Sequence, residues 1–229
     1  MSDILLVHSS DLHLRPNGTE DELRALRRVI DTARDLGADV VLLAGDVFDA
    51  NGVPSSLVEA AAALIAESAS PVVILPGNHD CLTDDSVYHH PDFAGLPDLH
   101  VFGVSEDGSV VFEHLDLEVW GQPHVNYRDM RPLGDPRPRS TRWQVAMAHG
   151  HWVTRPEDRL RSWLISDEEI SASGADYVAL GHWELAQPAG DGTVSAYYSG
   201  SPGRAGTVNV IRLAVDGAVE VIRVPLPVA

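Results

Sequence analysis

Five short apolar runs constrain this chain more than any other feature: ILLVHS (4–9), DVVLLA (39–44), PVVILP (71–76), WQVAMA (143–148) and DYVAL (176–180). Each is apolar or β-branched almost without interruption. That is the pattern of an inner strand covered on both faces, since a half-covered strand would alternate. Helical patterns fall between them. Thr19 with Glu22 three residues on forms a capping-box signature; Leu23, Leu26, Ile30 and Ala33 then recur at helical spacing, and Gly37 is placed to stop the helix. Pro54 opens a second, alanine-rich helix to about Ser68, and Pro156 a third through Leu160, Trp163 and Leu164. Strands alternating with helices predict an α/β chain. The segments 109–115, 117–123, 194–199, 207–215 and 219–226 read as antiparallel strands around turns, and a second sheet packed on the first is the economical arrangement. No internal repeat or low-complexity linker divides residues 1–229, so a single domain is expected.

The residues just past each apolar run carry the chemistry. After the first comes Asp11-Leu12-His13, after the second Gly45-Asp46, after the third Gly77-Asn78-His79-Asp80, after the fourth His149, and after the fifth Gly181-His182-Trp183-Glu184. Ligands of open α/β sheets gather beyond the carboxyl ends of the strands, so these residues can converge on one spot. Carboxylates, imidazoles and one amide make a mixed oxygen and nitrogen donor set, suited to Mn²⁺, Fe or Zn²⁺ more than to Ca²⁺. On an extended stretch Asp11 and His13, two apart, face the same way. The glycines before Asp46, Asn78 and His182 let the backbone come close to bound ions.

Composition narrows the partners. With 16 basic and 34 acidic residues the formal net charge is −18, which disfavours broad adhesion to nucleic acid because that binding depends on cations neutralising phosphates. The charge is uneven: from Gly121 to Arg161 eight arginines stand against four acids, either a solvated loop or a phosphate-binding rim. Cys81 is the one cysteine, so no internal disulfide forms, which fits a reducing compartment. The N-terminus lacks a basic flank with a cleavable apolar segment, and VEAAAALIA (58–66) is too short to span a bilayer. A cytoplasmic protein without membrane association is expected; the sequence points to no protein partner.

The series DLH, GDVFD, GNHD, a later His and GHWE resembles the calcineurin-like metallophosphoesterases, whose pattern runs D-x-H, G-D-x-x-D, G-N-H-D/E, H and G-H-x-H. Within that superfamily SSDLHL, AGDVFD, LPGNHD, DYVALGHW and YYSGSP look most like the SbcD-type DNA-repair exonucleases and their small relatives. The matches run from Asp11 to about Pro202. The resemblance implies an α/β fold of four αββα layers built on two mixed sheets, and two divalent ions, Mn first with Fe, Zn and Mg as alternatives, bridged by Asp46. One ion would be held also by Asp11, His13 and residue 184, the other by Asn78, His149 and His182. Two such ions lower the pKa of a bridging water and clamp a phosphoryl group. His79 would then give a proton to the leaving oxygen or stabilise charge on phosphorus, while Asp49 and Asp80 orient their neighbours. The nuclease relatives carry a further C-terminal capping region, which is not expected here because the chain ends soon after the core.

Glu184 departs from the pattern, which has histidine there. A glutamate carboxylate reaches about as far as the distal imidazole nitrogen, so it can ligate directly or through water, giving a more negative site tilted towards Mn²⁺ or Mg²⁺. The other outcome is that Glu184 turns to solvent and that ion is held loosely. His151 reads as a support behind the ligands, and Trp183 as either a wall of the site or a core residue. His124, Asn126, Tyr127 and Arg128, which come after a strand, and Arg204, which comes after the SGSPG turn, are candidates for a substrate rim. The expected activity is metal-dependent hydrolysis of a phosphodiester, a nucleotide or nucleic-acid end, with the charge favouring small substrates. A phosphomonoesterase, or a metal- or partner-binding protein with little turnover, is the alternative.

Overall fold

All five apolar runs form strands whose two faces enter different layers. The computed structural model describes residues 2–16 and 19–227; the side chains of 19–22, and with them the Thr19–Glu22 pair, lie outside the described set. In chain order the elements are β1 (Ile4–Ser9), α1 (Thr19–Leu36), β2 (Val40–Ala44), α2 (Ser55–Ala66), β3 (Val72–Leu75), α3 (Pro91–Ala94), β4 (Leu99–Val101), β5 (Ser109–Phe112), β6 (Leu117–Gly121), β7 (Trp143–His149), β8 (His151–Trp152), β9 (Leu164–Ile165), α4 (Asp167–Ala172), β10 (Tyr177–Gly181), β11 (Gln187–Ala189), β12 (Ser195–Tyr198), β13 (Thr207–Leu213) and β14 (Val219–Pro225).

Two six-stranded mixed sheets result, β14-β13-β1-β2-β3-β4 and β11-β12-β10-β7-β6-β5, with β8 and β9 forming a separate pair. In the first, β1 to β4 are parallel and β13 runs antiparallel to β1, pairing Val7 with Val210. In the second, β6, β7, β10 and β12 are parallel. Strand β2 shows why the runs lack alternation. Val41 and Leu43 pack with Leu26, Ile30, Ala61 and Ile65 of the helices, whereas Val40, Leu42 and Ala44 join Val145, Met147 and Ala179 between the sheets. The outer face of the second sheet, including Ala146, Ala148, Val178 and Leu180, is covered by Ile165, Leu133 and Ile170 of α4. The layers are therefore αββα, the last one thin.

Three expectations change. The five inner strands do not share a sheet: β1, β2 and β3 lie in the first, β7 and β10 in the second. Segments 207–215 and 219–226 join the first sheet at the edge beyond β1 instead of completing the second, and 109–115 is a strand only to Phe112. The helix opened by Pro156 is a single 3-10 turn to Leu160, because the chain turns extended at Arg161 and left-handed at Trp163 before Leu164 and Ile165 pair with β8. Helix α4 starts afresh at Ser166, whose Oγ accepts from Glu169 N–H while Glu169 accepts from Ser166 N–H. Gly37 stops α1 as expected, at φ 65°, with its N–H donating to Arg34 C=O and Ala38 N–H to Ala33 C=O. Among the described residues no helix is long and apolar enough to cross a membrane.

Candidate metal centre

The site forms where the ends of β1 and β2 in one sheet meet the ends of β7 and β10 in the other. Close approach is built in at two glycines. A Cβ on Gly181 would overlap the Ala44 carbonyl, and one on Gly45, itself at φ 88°, would overlap the His149 ring. His149 Nδ1–H donates to that same Ala44 carbonyl at 2.9 Å, which aims Nε2 at Asp46 Oδ2, 3.1 Å away, and at Asn78 Oδ1, also 3.1 Å away.

The loops after β1 and β2 are laced together by Asp11 N–H to Gly45 C=O, His13 N–H to Asp46 C=O and Leu14 N–H to Val47 C=O, at 3.0, 3.0 and 2.9 Å. To make these bonds Asp11, His13 and Asp46 take left-handed φ values of 56°, 48° and 52°, so residues 11–13 are not the extended stretch expected of them. Each such non-glycine conformation costs on the order of 1–3 kcal/mol and persists where neighbours enforce it, typically at functional sites. The spacing of two still brings His13 Nε2 to 3.9 Å from Asp11 Oδ1 and 3.9 Å from Asp46 Oδ2. Both Asp11 oxygens accept from His182 N–H, at 3.1 and 3.0 Å, and His182 Nδ1 lies 3.1 Å from Asn78 Oδ1. Asp46 Oδ1 accepts from His79 N–H at 2.9 Å. Among the described residues of this site, two triads have donor atoms within 4.8 Å of one another, His13–Asp46–His79 and Asp46–His149–His182, with Asp46 common to both.

Charge supports a cation here. Burial opposes the charge on His149, yet the Asp46 carboxylate overrides it and pushes the imidazole up to about 10. Burial likewise raises Asp46, but the adjoining His149 charge and hydrogen bond win and hold it below the usual carboxylate range. Burial pushes Asp11 up against the pull of His149, and burial together with the His149 charge pushes His182 down to about 3. Two buried carboxylates thus share one imidazolium. Divalent ions fit this oxygen and nitrogen set by charge and by donor type.

Supporting residues surround it. Asp49 Oδ1 sits 3.1 Å from His13 Nδ1, and its carbonyl accepts from His79 Nδ1–H at 3.0 Å. Asp80 fixes the GNHD turn by accepting from Gly77 N–H, Phe48 N–H and Tyr88 O–H. His151 stands behind His182, ring centroids 6.2 Å apart, and accepts from Trp183 Nε1–H at 3.0 Å. Trp183 stacks on Tyr198 at 4.9 Å and belongs to the core. His124 is fully buried and donates from Nε2 to His149 C=O at 2.8 Å, so it braces β7 instead of lining a rim. Asn126, Tyr127 and Arg128 are exposed; Asn126 Oδ1 accepts from Arg128 N–H.

Glu184 is not brought into either triad. Its Oε2 accepts from Arg204 Nη1 at 2.5 Å on the surface, which ties together two residues given separate roles by sequence. Trp163 was missed. Its ring stands edge-on to His182 and His124, at centroid distances of 5.9 and 5.5 Å, but a tryptophan in a proline-led apolar pattern reads as helix core.

Fold and donor set define a class, a two-sheet α/β protein with a candidate divalent-cation site where the sheet ends meet. A model of the calcineurin-like phosphoesterases matches residues 4–183, and the chain belongs to that family. Solved structures agree on the fold. A protein of Thermus thermophilus is 13% identical with a TM-score of 0.65, over 96% of this chain and 98% of that one. An archaeal phosphodiesterase is 15% identical with a TM-score of 0.52, over 96% and 100%. A purple acid phosphatase from yellow lupin seeds is 13% identical with a TM-score of 0.58, over 97% of this chain and 52% of that one.

Proposed function

We propose that this protein is a metal-dependent phosphodiesterase acting on small nucleotide-type substrates. The observation that carries the reading is Asp46, a buried carboxylate with His13 from one sheet and His149 and His182 from the other among its neighbouring donors. Asp11, His13 and Asp46 would hold one ion and Asp46, Asn78, His149 and His182 the other, with Mn²⁺ the expected metal. When bound, such ions polarise phosphoryl oxygens and make water acidic enough to attack phosphorus. The chain's own residues do the rest. His79 uses Nδ1–H on the Asp49 carbonyl, which leaves Nε2, on a ring that is 45% exposed, as the nitrogen that can deliver a proton. As the P–O bond to the leaving group breaks, that proton passes to the departing oxygen. Backbone bonds from Asp46 and Asp80 keep the His79 loop from drifting.

Glu184 remains in the proposal as a ligand on the His13 side. An exposed Glu–Arg pair is worth only about 0–1 kcal/mol, so a divalent ion can draw the carboxylate away from Arg204. The pairing with Arg204 also favours a second reading, a metal-binding protein with little turnover in which that side is weak. The two are separated with bis-p-nitrophenyl phosphate and p-nitrophenyl phosphate in Mn²⁺. Faster hydrolysis of the diester supports the first reading, preference for the monoester makes the protein a phosphomonoesterase, and binding of metal without turnover of either favours the second.

A further inference from the structure

Trp163 holds a backbone conformation that a bulky aromatic residue rarely adopts, with φ at 56°. Strain of this kind survives only where neighbours enforce it, and it gathers at ligand clamps. Here three hydrogen bonds do so. The Trp163 backbone N–H donates to Asp129 Oδ1 at 2.7 Å, its indole N–H donates to the Arg128 carbonyl at 3.1 Å, and its carbonyl accepts from His151 N–H at 2.7 Å. Among the described residues Trp163 belongs to none of the three apolar clusters, whereas Trp152 and Trp183 pack on one of them. It is half-buried, edge-on to His182 and His124 with interplanar angles of 79° and 75°. An indole held in a fixed pose beside the donor set, outside the core, is a surface for another flat ring. Charge of both signs lies nearby: Asp129 bonds the Trp163 backbone, Arg161 Nε stands 3.8 Å from Asp158 Oδ1, and Arg128 and Arg161 are exposed in the segment where eight arginines oppose four acids.

Resting on the phosphodiesterase reading, we propose that Trp163 is the platform on which a substrate nucleobase stacks while its phosphorus lies at the donor set. The substrate class is then a nucleobase-bearing phosphodiester, with Arg128 and Arg161 placed to attract further phosphate charge. Base stacking on an aromatic side chain favours binding by about tenfold or more.

The test compares wild type, Trp163→Ala and Trp163→Phe with Mn²⁺ on two esters that share a leaving group, thymidine 5′-(p-nitrophenyl phosphate) and methyl p-nitrophenyl phosphate. Wild type is expected to prefer the nucleoside ester in kcat/KM, Trp163→Ala to cut that preference by about tenfold or more, and Trp163→Phe to keep most of it. An unchanged preference in Trp163→Ala overturns the proposal. So do equal losses on both esters, which would put the ring under the leaving group. Equilibrium dialysis of thymidine 5′-monophosphate against ribose 5-phosphate is run in parallel. If wild type hydrolyses no diester, the phosphodiesterase reading fails by itself; dialysis then decides the platform, for which a nucleotide preference abolished by Trp163→Ala counts and equal binding of both ligands counts against.

Discussion

The two oxygens of Asp46 face different neighbours, the His79 amide on one side and the His149 imidazole on the other. Asparagine preserves the size of that side chain but not its charge. In Asp46→Asn the partner that pushes His149 up to about 10 is gone, so the His149 pKa falls, which proton NMR of the ring reads directly. Diester hydrolysis should fall by at least about a hundredfold with the circular dichroism unchanged, as befits loss of a charge aimed at the reacting centre. The same pair sets a pH dependence. Metal-free His149 keeps its proton up to about pH 10, and a cation must displace it, so apparent metal affinity rises with pH by about tenfold per unit below that value. For the metal-free fold the sign is opposite: the raised pKa stabilises fully below about 6.5 and that stability is lost as pH rises through 10. Competition with a chelator at several pH values checks the first, urea unfolding the second. That these polar residues converge was legible in sequence because each follows closely on an apolar run. The Glu184–Arg204 pair was not, since nothing in the spacing of residues 184 and 204 signals contact.

At the scale of elements, the site depends on β10 crossing against the end of β2. Gly181 permits it, because a Cβ there would run into the Ala44 carbonyl, which is backbone and cannot rotate away. Gly181→Ala should therefore destabilise by about 1–3 kcal/mol, the usual range for overpacking, seen as a lower urea midpoint at unchanged slope, and should weaken metal binding because the His149 and Ala44 contact is disturbed as well. Strand identity was readable from composition; sheet membership was not. β7 and β10 look like β1 and β2 because all four are covered on both faces, and burial alone does not say which strand lies alongside. The Pro156 segment misled for a local reason: Asp158 closes a single turn by accepting from Thr154 and Arg155 N–H groups, and the left-handed Trp163 ends any helical continuation.

For the whole molecule, several histidines are buried in neutral form. Burial pushes His8 down to about 3, and burial with the His149 charge pushes His124 down to about 4. Their unfolded counterparts bind protons from about pH 6.5 downward, so stability is present above that pH and is lost as pH falls towards 3–4. His8 lies in β1 with Nδ1 on Tyr177 O–H, at 2.9 Å. In His8→Gln, unfolding between pH 6.5 and 4 should lose less stability per pH unit than in wild type, by up to about 1.4 kcal/mol. A variant as acid-sensitive as wild type would mean that His8 charges freely in the folded state.

Both sheets, the left-handed loops and the buried charges converge on Asp46, and the proposal places two cations there. Crystals soaked in Mn²⁺ and recorded at the manganese edge address that directly. Two anomalous peaks about 3.5–4 Å apart are expected, the spacing of two-metal sites, with Asp46 between them, one flanked by Asp11 and His13 and the other by Asn78, His149 and His182. No peak at Asp46, or manganese bound only elsewhere on the acidic surface, would contradict it.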